Sequence, residues 1–134
     1  MRDEVVRVVE SYLHAIESGE LNDVPLHPDV EWHGPLGHSI KGATMLRATL
    51  SVLASIVTRV TIVHHIVEQE WCATRFELTT TQGALSIFDS FQVVDGQIRS
   101  IRVFLDRYRC QVLRRADVCH SVPPLTERGA DGAC

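Results

Sequence analysis

The hydrophobic period of this chain changes once, near residue 58, and that change limits the folds open to it. From Asp3 to Ser18 the apolar residues Val5, Val8, Val9, Tyr12, Leu13 and Ile16 recur at helical spacing, with Arg7, Glu10, Ser11, His14 and Glu17 on the opposite side. Gly19 supplies the stop. Gly42 to Val57 reads as a second helix, with Met45, Leu46, Leu50, Leu53, Ala54 and Val57 on one face. Beyond it the residues alternate, and strands are predicted over Arg59 to Glu68, Trp71 to Thr80, Ala84 to Val94 and Gln97 to Leu105. Asp95-Gly96 marks a tight hairpin, because both residues tolerate the positive φ of a primed turn. Short turns between consecutive strands imply an antiparallel meander, and so an α+β class with the helices packed on the sheet.

Between the helices, Glu20 to Pro28 reads as a connection, and Val30 to His33 as a short strand ended by Gly34-Pro35 and Gly37. A chain of 134 residues supports one core. The domain is expected over residues 1–110, and residues 111–134, rich in Pro, Gly and charge toward the end, as a partly disordered tail. A net charge of -4 argues against a nucleic-acid footprint, since the densest basic run, Arg99 to Arg115, is interrupted by Asp106. No apolar run approaches the roughly 20 residues of a membrane span, and the first residues lack the apolar core of a signal peptide. A cytoplasmic setting is therefore expected. Cys72, Cys110, Cys119 and Cys134 form no CxxC pair and no ligand spacing, so reduced thiols and no metal site are expected.

Asp89 is the most informative single residue. Leu85, Ile87, Asp89, Phe91 and Val93 share one face of their strand, while Ser86, Phe88, Ser90 and Gln92 share the other. A carboxyl placed in an apolar row pairs, accepts hydrogen bonds or takes up a proton, because a bare buried charge costs several kcal/mol. Pairing with Arg75 or Arg99 is the structural alternative. Near it in the pattern are two histidine candidates: on the strand from Arg59, Val60, Ile62, His64 and Ile66 make the more continuous apolar face. Around Val30, alternation leaves open which of Glu31, Trp32 and His33 points inward; His33 is the preferred base for its ordinary titration range.

Helix, short strand, second helix and four long antiparallel strands resemble the cone-shaped fold shared by nuclear transport factor 2, ketosteroid isomerases, SnoaL-like cyclases, scytalone dehydratase and limonene epoxide hydrolase. The local carriers are Ser11-Tyr-Leu-His-Ala-Ile-Glu-Ser-Gly19, the Gly34-Pro-Leu-Gly37 turn leading to Ile40-Lys-Gly42, and Val94-Asp-Gly-Gln-Ile-Arg99. The resemblance spans about Val5 to Tyr108. It implies a curved antiparallel sheet that encloses an apolar pocket with the N-terminal helices, a small apolar ligand, no cofactor, and a homodimer formed through the outer sheet face.

It also implies roles. Asp89 matches the carboxylic acid that stays protonated in ketosteroid isomerases and, with a first-helix tyrosine matched by Tyr12, donates hydrogen bonds to a substrate oxygen. Their proton-shuttling aspartate falls on Gly34. His65-Ile66 resembles the surroundings of the catalytic histidine of scytalone dehydratase, so alternation favours His64 and resemblance favours His65. Arg75-Phe-Glu77 resembles the Arg and Asp pair of the epoxide hydrolases, whose last-strand carboxylate, like that of the cyclases, falls on Val103. Trp32, Met45, Phe76, Phe91 and Val103 are expected to line the pocket. The implied activity is cofactor-independent isomerisation, cyclisation or dehydration of a polyketide-, steroid- or terpenoid-like compound. Epoxide opening, or a non-catalytic binding or dimerisation module, are the alternatives.

Overall fold

The computed structural model of the protein describes residues 2–105. The predicted tail and Asp106 lie outside the described residues. Helix α1, Arg2–Ser18, carries Asp3 and Glu4 in its first turn, where carboxylates suit the positive end of the helix dipole. It buries Val5, Val8, Val9, Tyr12, Leu13, Ala15 and Ile16 as one continuous stripe. Gly19, at φ 84°, closes the helix by donating its N–H to the Ala15 carbonyl at 2.7 Å.

The chain then forms strand β1, Leu26–His33, a single 3-10 turn, and the three-residue strand β2, Ser39–Lys41. β1 begins earlier than predicted, and β2 was not predicted. Pro28 sits inside β1 where its register with the neighbouring strand shifts between Leu26 and Glu31, a break that accommodates a residue without an N–H. Helix α2, Ala43–Ala54, is shorter than its apolar pattern suggested, and Val57 opens the next strand instead. It buries Ala43, Leu46 and Leu50, whereas Met45 is 59% exposed. The expectation that Met45 lines an interior pocket is thereby corrected: Leu46, one position on, occupies the inward face.

Strands β3 (Val57–Glu68), β4 (Trp71–Thr80), β5 (Gly83–Val94) and β6 (Gln97–Leu105) form the predicted antiparallel meander. Asp95 and Gly96 both hold positive φ, 53° and 76°, as a primed hairpin turn requires. The sheet order is β2-β1-β6-β5-β4-β3, with β1 parallel to β6 and antiparallel to β2, so the sheet is mixed rather than wholly antiparallel. Its inner face packs on the helices, and the core runs from Val9 and Leu13 of α1 to Phe91, Ile98 and Ile101 of the central strands.

Candidate active site

The strand registers decide which side chains share the inner face. One inner row runs Val67, Cys72, Phe91, Ile101 and Trp32 across β3, β4, β5, β6 and β1. The adjacent inner row runs His65, Thr74, Asp89 and Val103. Between them lies an outer row of Ile66, Ala73, Ser90, Arg102 and His33. Asp89 and Tyr12 are each only 2% exposed. Tyr12 reaches the same interior from α1, its ring set edge-on to Phe91 with centroids 5.2 Å apart and planes at 74°.

This arrangement settles the placement of the histidines. Residues Ile62 and His64 pair with Phe76 and Arg75, neighbours on β4, which leaves Val63 as an extra residue on β3. Such a bulge reverses the alternation that follows it. His65 and Val67 turn inward, while Val63, His64 and Ile66 are exposed. His64, favoured by simple alternation, lies instead on the outer face, in an open groove of 510 Å³ with Arg75, Phe88 and Phe104. His33 is also on the outer side of β1, where Nε2 lies 3.3 Å from Glu31 Oε1. The structure therefore brings Asp89, Tyr12, Trp32, Phe76, Phe91, Val103 and His65 to the inner side, and leaves His33, His64 and Met45 outside it. Arg75 and Glu77 alternate with the buried Thr74, Phe76 and Leu78, which puts the Arg-X-Glu pair on the outer face too. Neither Arg75 nor Arg99 forms an ion pair with Asp89, and both are exposed.

Burial pushes the Asp89 carboxyl well above the usual carboxylate range, so the neutral acid is favoured. Its Oδ1 is buried without a hydrogen-bond partner among the described residues. Burial foremost, and the Asp89 charge when that group ionises, also push the Tyr12 phenol well above its ordinary value; the nearby Trp32 indole opposes them. The indole sits close enough to the phenol to favour its anion, yet Trp32 Nε1 is buried and completes no well-formed hydrogen bond among the described residues. An acid, a phenol and an indole N–H thus share one interior, in which Asp89 Oδ1 and Trp32 Nε1 have no hydrogen-bond partner among the described residues. Buried polar atoms are ordinarily satisfied, so such a set is suited to a ligand oxygen.

Gly34, where the isomerase resemblance would place an aspartate, has φ −87° and needs no glycine for its backbone. Space demands it instead: a Cβ there would overlap the Trp32 indole, with Cζ3 only 2.6 Å away. The indole fills the space next to this position.

Sequence reasoning missed the partners of His65. Its Nδ1 is 2.7 Å from Thr74 Oγ1 and its Nε2 is 2.9 Å from Glu10 Oε2 on α1. Cys72 Sγ is 3.3 Å from the same Thr74 oxygen. Burial foremost pushes the Cys72 thiol up, opposed by the Thr74 hydrogen bond and Arg2 and aided by the Glu10 charge, so the neutral thiol is favoured. The spacing of Thr74 from Phe76 and Leu78 marked it as inward-facing, but nothing local announced its link to Glu10. Among the described residues no group of three or more His, Cys, Asp or Glu could hold a metal ion, and no helix is long and apolar enough to cross a membrane.

The sheet and the helices have the fold of nuclear transport factor 2-like proteins. Solved structures of the same fold include an LEH-like epoxide hydrolase of M. tuberculosis, 23% identical over 90% of this chain and 97% of that one, with a TM-score of 0.71. A steroid delta-isomerase from Pseudomonas aeruginosa is 18% identical over 84% of this chain and 87% of that one, with a TM-score of 0.68. A nuclear transport factor 2-like protein of unknown function from Cytophaga hutchinsonii is 13% identical over 80% of this chain and 94% of that one, at a TM-score of 0.68. No curated protein matches the chain in sequence. Residues 1–111 match the family model described as Domain of unknown function (DUF4904), and the chain belongs to that family.

Proposed function

We propose that the protein is a cofactor-independent acid-base enzyme that isomerises, cyclises or dehydrates a small, mostly apolar carbonyl- or hydroxyl-bearing compound. The observation that carries this reading is the buried Asp89 carboxyl beside Tyr12, its Oδ1 without a partner among the described residues. A neutral acid and a phenol aimed at one oxygen stabilise an enolate or alkoxide as it forms, each such donor contributing roughly 3 to 4 kcal/mol to lowering the barrier. His65, the histidine on the inner row, serves the proton transfer by way of Thr74 Oγ1, which its Nδ1 meets at 2.7 Å. Trp32, Phe76, Phe91 and Val103 hold the apolar body of the ligand. The isomerase and the epoxide hydrolase of like fold support a pocket chemistry of this kind. Epoxide opening by Arg75 and Glu77 is not supported, since both lie on the outer face.

In this reading residues 1–110 are the working domain, 111–134 an appended tail, and the setting cytoplasmic. The domain pairs with a second copy through the outer sheet face, which exposes Val63, Ile66, Phe88 and Phe104.

Exchange of solvent deuterium into carbon positions next to the carbonyl of a panel of apolar ketones tests the activity without knowledge of the natural substrate. The wild-type protein is expected to accelerate exchange for a subset of the panel, and Asp89→Asn to slow it about 100-fold. Equal rates for the two proteins would remove Asp89 from the mechanism.

A further inference from the structure

Both ring nitrogens of His65 are engaged, one by Glu10 and the other by Thr74. The imidazole therefore has no free nitrogen to present to the interior. A proton it gives or takes on the inner side passes through Thr74 Oγ1, 2.7 Å from Nδ1, or through the more distant Cys72 Sγ at 3.7 Å. With Glu10 ionised, His65 Nε2–H donates to the carboxylate and Nδ1 accepts from the Thr74 hydroxyl. With the Thr74 hydroxyl proton directed at His65, the Cys72 thiol 3.3 Å away is left to donate to Thr74 Oγ1, which fills one of the two lone pairs of that oxygen. One lone pair remains. Thr74 is fully buried, and its direct neighbour across the ladder is Asp89. Such cross-strand pairs hold their Cβ atoms about 5 Å apart, which lets a carboxyl and a hydroxyl meet after rotation of one side chain.

We propose that Thr74 is the inner terminus of a proton relay, Asp89 to Thr74 to His65 to Glu10, which connects the buried acid to solvent. Glu10 is the outer terminus, its side chain 40% exposed against 11% for His65. The transfer balances. Asp89 gives its proton to Thr74 Oγ1 as the Thr74 hydroxyl proton passes to His65 Nδ1, and the Nε2 proton passes to Glu10. The result is an Asp89 carboxylate, an intact hydroxyl, the opposite histidine tautomer and a neutral Glu10, which exchanges with water before the sequence reverses. The relay rests on the reading of Asp89 as a protonated acid; it adds the path by which that buried proton exchanges with solvent. Thr74, His65 and Glu10 are thereby positioning residues that act on substrate through Asp89.

The relay is read by infrared spectroscopy on the full chain without substrate. The stretching band of a protonated carboxyl, assigned to Asp89 by its loss in Asp89→Asn, is followed after mixing into heavy water. Wild-type protein is expected to exchange this proton quickly. Thr74→Val, which keeps the shape and removes the hydroxyl, slows exchange at least about 10-fold, and Thr74→Ser restores it. His65→Leu, on the edge strand, interrupts the path one step farther out and slows exchange as well. Equal exchange rates in wild type, Thr74→Val and His65→Leu, with the band present, overturn the relay alone. Absence of the band in wild type overturns the protonated-acid reading and the relay with it.

Discussion

Trp32 covers Gly34 so closely that the indole takes up the space of any side chain at that position. The residue that the isomerase resemblance places there, an aspartate, is therefore sterically incompatible with the tryptophan two positions earlier. Gly34→Asp is expected to displace the indole and destabilise the fold by about 1 to 3 kcal/mol, the usual cost of overpacking. Trp32→Ala relieves the overlap, so the double variant loses less than the sum of the two single losses. Urea unfolding of all four proteins gives the coupling directly; additive losses would mean that the two residues do not share this space.

Asp89 makes stability depend on pH in a direction opposite to that of a salt-bridged aspartate. Its folded-state pKa is raised. Between the unfolded value, about 4, and the raised folded value, the folded state holds a proton that the unfolded state has released. Stability therefore falls as pH rises through that window. Asp89→Asn has no such slope, and its stability relative to wild type is expected to improve steadily from about pH 4 upward. A difference that stays flat across this range would contradict the buried neutral acid.

Tyr12→Phe removes a hydroxyl and leaves the edge-on contact with Phe91. Stability should change by less than about 1.5 kcal/mol, because one hydrogen-bonding group contributes that little net. Ketone exchange activity should fall at least about 10-fold if the phenol polarises the ligand oxygen. Thermal unfolding and the deuterium assay, run side by side, separate a packing role from a chemical one.

Outer-face residues should report on assembly and not on chemistry. Phe104→Glu is expected to convert a dimer into a monomer in light scattering while leaving deuterium exchange into ketones within about 3-fold, since Phe104 is 56% exposed and on the far side of the sheet from Asp89. Arg75→Ala should leave the activity equally unaffected. A monomeric wild type, or a large activity loss in Arg75→Ala, counts against this division of the two faces.

Much of the fold was legible because its periods are long and unbroken. The α1 stripe and the alternation of β5 placed Tyr12 and Asp89 inside without any tertiary information. Where local pattern failed, a nonlocal pairing decided the outcome. The extra residue Val63 inverts β3, which no count of alternating residues along the strand itself reveals, and so His65 rather than His64 faces in. Trp32 and His33 were separable only through the parallel register of β1 with β6. Met45 and Leu46 are adjacent apolar residues at the border of one helical stripe, and packing of α2 on β1 selected the second. Strand β2 exists only as a pairing of three residues with β1. Glu10 and Thr74 went unnoticed because a surface glutamate and a strand threonine are ordinary until 55 residues of separation are closed by His65.

The bulge at Val63 has a second effect, on self-association. Among the described residues β3 is the last strand of the sheet on its side, 12 residues long, with apolar Val63 and Ile66 outward. A straight edge of that length is a template on which another chain can add a strand. The bulge interrupts its regular spacing of backbone donors and acceptors midway, so a variant lacking Val63 would lose the inward aim of His65 and gain a regular edge from Arg59 to Glu68, open to aggregation.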